Sequence, residues 1–199
     1  MAVGVSLLAM ALALVLGLVV VGMRLSRFRF LWVPAFAYIQ LFRGTSLYVF
    51  ILWLYFGLAI ATGINIPPVP AAVICLGMLN SAYMAEIYRA GVNAIPRGQF
   101  EAARALGLSP FQLYKDIIVP QALAVVIPSM MNLFVDLLKD SALISVVGVE
   151  DLMRAADRLT KFYFRPFEFF TAASAFYVTA ILLFSRFVVR GVEARFHPR

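Results

Sequence analysis

Residues 101–120 read EAARALGLSPFQLYKDIIVP, a charged stretch set between long apolar segments. Gly107 suits the C-terminal cap of a helix, and the Ser-Pro pair at 109–110 suits the start of another. The stretch therefore predicts a helix over about 99–105, a tight turn and a second helix. Glu101 is expected in the first turn of the first helix, where the helix dipole favours a carboxylate.

The composition outside this stretch is that of a membrane protein. The chain is 63% hydrophobic and only 14% charged, whereas soluble domains carry about 25% charged residues. Several apolar runs are long enough to cross a hydrocarbon core of about 30 Å, and a span must satisfy its backbone groups internally. These features predict an all-α, polytopic membrane protein with about five transmembrane helices, near 3–23, 45–61, 69–89, 117–138 and 168–189.

The basic residues predict the orientation of the spans. The first apolar run is too long for a signal-peptide core, and Arg24, Arg27 and Arg29 follow it instead of preceding it. Basic excess then alternates between successive connections, as the positive-inside rule requires. We expect an N-out, C-in topology with the 101–120 stretch in the cytoplasm. This pattern also explains the net charge of +7 without a nucleic-acid partner.

The remaining segments add no second domain. Residues 141–148 (SALISVVG) are apolar and are expected at the membrane surface or partly within it, and residues 150–161 are expected to form a short surface helix. Cys75 is the only cysteine, which excludes an internal disulfide, and no metal-ligand spacing is present. His197 stands alone in the C-terminal tail. The whole chain, 1–199, is predicted to be one transmembrane domain.

The spacing within 101–120 resembles the EAA loop of ABC-importer permeases. That pattern is EAA, three residues, Gly, nine residues, Ile, one residue and Leu-Pro, and only Val119 departs from it here, in place of the leucine. In that family an ATPase subunit pushes on the membrane subunit at this loop, which here covers about 97–116. The resemblance implies that coupling to the ATPase involves Glu101, Ala102, Ala103 and Gly107.

Three further segments resemble the polar-amino-acid subgroup of these permeases. They are FRGTS followed by YFGL at 42–58, AYMAEIYRAG at 82–91, and LLKDSAL followed by VGV at 137–149. Ser46 replaces the usual proline of the first segment. The likeness covers nearly the whole chain.

The resemblance implies a set of partners in a bacterial inner membrane. They are a cytoplasmic ATPase dimer, a second permease subunit that is identical or homologous, and an extracytoplasmic solute-binding protein. No G-x-x-x-x-G-K-[ST] phosphate loop occurs in the chain. ATP and Mg²⁺ are therefore expected on the partner ATPase, with no cofactor and no catalytic site on this chain.

Polar residues at membrane depth are the candidates for binding a substrate. Such groups are costly in a bilayer and usually face a bundle interior or a water-filled cavity. In the third and fourth predicted spans they are Asn80, Tyr83, Glu86, Asp136, Lys139 and Asp140. The carboxylates are suited to a substrate ammonium and the lysine to a carboxylate. The alternative is an internal Asp–Lys pair that fixes helix packing, with Glu86 close to the cytoplasmic interface.

The function predicted from these features is that of an importer permease for polar amino acids or related small zwitterions. Two alternatives stay open at this point, an ATP-independent secondary transporter and a non-transporting membrane scaffold. A secondary transporter is expected to show repeated halves around a midplane site, and no internal repeat is evident in the chain.

Overall fold

All regular structure in the described part of the chain is helical, as the sequence predicts. The structure is a computed structural model that describes residues 1–189 and 191–192, so His197 lies outside the described residues. The elements in order are α1 (Ala2–Arg24), α2 (Arg29–Gly44), α3 (Leu47–Thr62), α4 (Pro68–Asn93), α5 (Arg97–Ala105), α6 (Pro110–Val147), α7 (Leu152–Tyr163) and α8 (Pro166–Val189).

Four of these elements, α1, α4, α6 and α8, are long and apolar enough to cross a membrane. They contain the predicted spans at 3–23, 69–89, 117–138 and 168–189, each extended by a few residues. These four predictions are confirmed.

The predicted span at 45–61 corresponds to helix α3, which is too short to qualify as a span by itself. Helix α3 rises about 24 Å, less than the roughly 30 Å of a hydrocarbon core. It meets the requirement of a span only together with α2, to which it is joined at a bend of 102°. Arg29 and Arg43 make residues 29–44 look like a basic loop in the sequence, whereas the apolar residues between them form helix α2.

The bend between α2 and α3 is built by Thr45 and Ser46. Both residues have extended backbone, with ψ values of 136° and 133°, so the helix cannot continue through them. The Thr45 hydroxyl donates to the Leu41 carbonyl oxygen at 2.7 Å and satisfies one of the acceptors that the end of α2 leaves free. The bend brings Thr45 and Leu47 to the wall of a cavity described below.

The centre of the fold is the contact between α1 and α4. A Cβ placed on Gly17 would lie 2.9 Å from Met84 Cβ and 3.3 Å from the Ala85 nitrogen, so the two backbones meet where only glycine fits. Leu12 packs in the same way on Gly77. Residue 12 of α1 meets residue 77 of α4, and residue 17 meets residue 84. Because the residue numbers rise in the same direction along both helices, α1 and α4 run parallel.

The connection between α6 and α8 is ordered by helical structure. Residues Ser141–Val147 extend α6 as a 3₁₀ segment, with Ile144 and Val147 buried against the main core. Helix α7 then confirms the predicted surface helix, although it begins at Leu152. The Asp151 carboxylate accepts the Arg154 backbone N–H at 2.8 Å and caps α7.

Candidate functional site

Helix α5 ends in the glycine turn that the sequence predicts. Gly107 has a φ of +71°, which side chains with a Cβ rarely adopt. The Leu108 N–H donates to the Ala103 carbonyl at 3.1 Å, and the Gly107 N–H donates to the Arg104 carbonyl at 3.0 Å. This pair of bonds is the Schellman motif, which closes a helix C-terminus. The turn after α5 is therefore fixed by Gly107.

The start of α6 matches the second half of the prediction. The Ser109 hydroxyl accepts the Gln112 backbone N–H at 3.3 Å, and the Gln112 side-chain oxygen accepts the Ser109 N–H at 3.0 Å. Pro110 occupies the first helical position. These contacts form a capping box, which satisfies two backbone donors at once. A π-helical segment, Leu113–Ile118, then leads into the long part of α6.

The position predicted for Glu101 needs a correction. Helix α5 begins at Arg97, directly after Pro96, whose ψ of 139° lies outside the helical range, and Gly98 is the second residue of the helix. Glu101 is thus the fifth residue of α5 and lies beyond the first turn, where the dipole acts most strongly. Its side chain is exposed.

A small hydrophobic cluster lies under the loop and attaches it to the bundle. Its buried members are Ile95, Ala103, Leu113 and Ile118. Ala103 is 1% exposed, so it packs inside the chain and offers no surface to a partner. The accessible face of the loop instead includes Glu101, Ala102 and Leu106, of which Leu106 is 77% exposed.

A cavity of about 330 Å³ brings together four of the six candidate substrate residues. Asn80 and Tyr83 reach it from α4, and Asp136 and Asp140 reach it from α6. The remaining wall consists of Thr45, Leu47, Leu79 and Leu133. Asn80 and Tyr83 lie about 18 Å and 22 Å along α4 from Pro68, so the cavity is near the middle of that 26-residue span.

The two polar residues of α4 are held in place by backbone acceptors. The buried Asn80 donates its amide to the Leu76 carbonyl at 2.8 Å, which fixes the side chain. The Tyr83 hydroxyl donates to the Arg43 carbonyl oxygen at 3.4 Å and links α4 to the end of α2.

The two aspartates of α6 differ in their partners. The Lys139 ammonium pairs with Asp136 at 2.9 Å, and both side chains are more than half exposed. Lys139 itself does not line the cavity. Asp140 is half-buried and forms no ion pair within residues 1–189. One carboxylate of the cavity is therefore already neutralised in part, and the other is not.

Glu86 lies outside the cavity. Its carboxylate accepts from the Arg89 guanidinium, with the shortest contact at 2.6 Å and two more from Nε at 3.1 Å and 3.2 Å. A bidentate pair of this kind occupies both carboxylate oxygens. The structure thus places Glu86 in an arginine pair one turn beyond Tyr83, towards the Asn93 end of α4.

Sequence reasoning missed Arg43 and Thr45 as neighbours of the cavity. The Arg43 guanidinium lies 5.5 Å from the centroid of the Tyr83 ring, and Thr45 lines the cavity wall. Both residues belong to the FRGTS segment, which indicated the subgroup of permeases but not where the segment lies in the bundle. Only the bend after Gly44 shows that this segment lies at the depth of Tyr83.

A bundle of spanning helices, a polar cavity at mid-depth and a capped helical loop at one end together define a membrane transport subunit. The chain belongs to the family described as binding-protein-dependent transport system inner membrane component, whose family model matches residues 6–198. It is 37% identical over 185 residues to the arginine transport system permease protein ArtQ of Bacillus subtilis (strain 168). That alignment covers 92% of this chain and 84% of ArtQ.

One solved structure gives the same assignment, and another has the same fold. A crystal structure of an amino acid ABC transporter with histidines has a TM-score of 0.92 and 37% identity, and the match covers 98% of this chain and 90% of that one. An inward-facing MetNI methionine ABC transporter has a TM-score of 0.81 at 19% identity, covers 99% of this chain and 93% of that one, and shows the fold alone.

The chain is therefore a permease subunit of an ATP-driven importer, and ATP is hydrolysed by a separate chain. The family excludes both alternatives that the sequence left open, the secondary transporter and the scaffold. The chain is a multi-pass membrane protein.

Proposed function

We propose that this permease carries polar amino acids, and that they pass through the cavity lined by Asn80, Tyr83, Asp136 and Asp140. The observation that supports this proposal is the convergence of these four side chains from two helices at the middle of a spanning bundle. Isolated charges at that depth are costly unless water or a ligand compensates them. Carboxylates there suit the ammonium group that every amino acid carries.

The names of the similar proteins support the same class of substrate. One relative is named for arginine transport and one solved structure for amino acid transport. A carboxylate that accepts from an ammonium forms a charge-assisted hydrogen bond, which is about twice as strong as a neutral one. Asp136 and Asp140 are therefore the side chains proposed to contact the ammonium, while Glu86 and Lys139 are proposed to act through packing and ion pairing.

The loop at 97–116 is proposed to receive the push of a cytoplasmic ATPase. Its exposed residues Glu101, Ala102 and Leu106 form the contact face, the buried Ala103 supports that face from within, and Gly107 sets the turn that follows it. Because the cluster under the loop includes residues at the end of the α4 segment and the start of α6, displacement of the loop acts on both walls of the cavity. An ATPase dimer, a second permease and an extracytoplasmic solute-binding protein complete the proposed importer in the bacterial inner membrane.

The substrate proposal is tested with Asp136→Asn in the complete importer reconstituted into proteoliposomes. We expect the KM for labelled arginine uptake to rise about tenfold or more, as loss of a charged hydrogen bond of about 1.5–3 kcal/mol predicts. The melting temperature should hardly change, since exposed ion pairs contribute only about 0–1 kcal/mol.

Asp157→Asn is the matched control, because Asp157 forms a similar exposed pair with Lys161 on α7, at 2.6 Å. It should change neither KM nor melting temperature. A lower melting temperature for Asp136→Asn with an unchanged KM would assign Asp136 to packing. Failure of the wild-type importer to take up any of the 20 labelled amino acids would overturn the substrate class itself.

A further inference from the structure

Arg43 places a guanidinium next to the cavity wall. The group lies 5.5 Å from the ring centroid of Tyr83, within the range of a cation–π contact. The Tyr83 hydroxyl also donates to the Arg43 backbone carbonyl at 3.4 Å. Tyr83, a residue of the cavity wall, thus contacts both the side chain and the backbone of Arg43.

An arginine at this depth needs compensation. Tyr83 precedes Asn93 by ten residues, which places this contact about 15 Å from the end of α4. A guanidinium cannot lose its charge there and is costly without a partner. None of the ion pairs within residues 1–189 includes Arg43.

The carboxylate that follows Tyr83 along α4 has a partner of its own. Glu86 pairs with Arg89, whose guanidinium contacts both carboxylate oxygens, at 3.2 Å and 2.6 Å. Glu86 is therefore not free to neutralise Arg43.

The part of the cavity wall that α6 supplies carries negative charge. Asp136 and Asp140 line it, and Lys139 is the cation that pairs with Asp136. Two carboxylates and one ammonium give a net charge of −1. The cavity therefore carries its carboxylates on α6, while Arg43, at the end of α2, contacts the cavity residue Tyr83.

We propose that Arg43 binds the carboxylate of the transported amino acid, while Asp136 and Asp140 hold its ammonium. This inference rests on the proposed function, and it makes the site selective for zwitterions over simple amines. The planar guanidinium can donate two parallel hydrogen bonds to a carboxylate. Tyr83 acts as a positioning residue, because its ring and hydroxyl hold Arg43 at the rim of the cavity.

The test compares arginine with agmatine, which is arginine without its carboxylate, in binding to the purified permease–ATPase complex without its solute-binding protein. We expect Arg43→Gln to weaken arginine binding about 10- to 100-fold, as loss of a charged hydrogen bond predicts. Agmatine binding should change less than about twofold. Arg43→Lys should restore part of the arginine affinity, since it keeps the charge but loses the fork geometry.

Arg165→Gln is the matched control, because Arg165 is also an exposed arginine outside the ion pairs of residues 1–189 and lies far along the chain, before α8. It should leave both affinities unchanged. Equal losses for arginine and agmatine in Arg43→Gln, or unchanged arginine binding, would overturn the role of Arg43. If the wild-type complex binds neither compound and imports no amino acid, the proposed substrate class is wrong. The proposed role of Arg43 is then also wrong, because it depends on that substrate class.

Discussion

Gly107→Val is expected to uncouple ATP hydrolysis from uptake. Gly107 has a φ of +71°, and no atom lies within 4 Å of the position that its Cβ would take. Substitution therefore causes no clash, and its cost is the backbone conformation alone. Left-handed backbone costs an ordinary residue about 1–2 kcal/mol, and a β-branched residue is a stronger outlier there.

This strain acts on the two hydrogen bonds that close α5. About 2 kcal/mol changes the ratio of closed to open turn roughly 30-fold, so the exposed face of the loop loses its fixed position. The effect should follow the tolerance for positive φ, with Gly107→Asn mildest, Gly107→Ala intermediate and Gly107→Val strongest. The assay is the number of arginine molecules imported per ATP hydrolysed in proteoliposomes, together with ATPase copurification.

Gly98→Ala provides the control within the same loop. Gly98 lies inside α5 and also has free space around its Cβ position, so alanine there should be neutral or stabilising. Wild-type coupling and ATPase retention in Gly107→Val, at normal expression, would refute the role given to the capped turn.

Two further predictions concern the ends of the bundle. Burial raises the pKa of the Asp151 carboxyl in the folded protein above its ordinary value. The stabilisation that the protonated carboxyl contributes is therefore complete at pH values below the unfolded pKa, and it is lost as the pH rises through the folded pKa. Asp151→Asn keeps a capping side chain at the start of α7 and should raise the melting temperature at pH 7. The difference in melting temperature from the wild type should vanish by about pH 3. A difference that stays constant with pH would show that Asp151 does not titrate in this way. With Cys75 replaced by serine, single cysteines at the exposed Ile64 and Leu159 should react with an impermeant maleimide outside intact cells, and one at Leu106 should not. External labelling at Leu106 would reverse the predicted orientation.

The sequence was sufficient for the features that depend on neighbouring residues. Apolar length predicted four of the spans, and the chemistry of glycine, serine and proline predicted the turn at Gly107 and the start of α6. Helix α2 was missed because Arg29 and Arg43 made residues 29–44 look like a basic loop. The bend between α2 and α3 places a charged residue next to a cavity, and such a bend depends on contacts that hydropathy does not measure.

The substrate site was only partly predictable for a related reason. Helical periodicity placed Asn80 and Tyr83 on one face correctly, because both residues lie on one helix. Helical periodicity gave no information about which face of α6 packs against this face of α4. It also did not show that Arg89 would form an ion pair with Glu86. Arg43 was missed because its proximity to Tyr83 joins positions 40 residues apart.

The small cluster under the loop means that the residues that fold the loop differ from the residues that are accessible to a partner. Buried residues such as Ile95 and Ala103 determine whether the loop keeps its shape. Glu101 and Leu106 are exposed and do not pack in that cluster. Substitutions on the outer face, which we propose contacts the ATPase, can then change that contact without destabilising the permease. Exchange of this face between related permeases should transfer ATPase preference while the inner residues stay as they are.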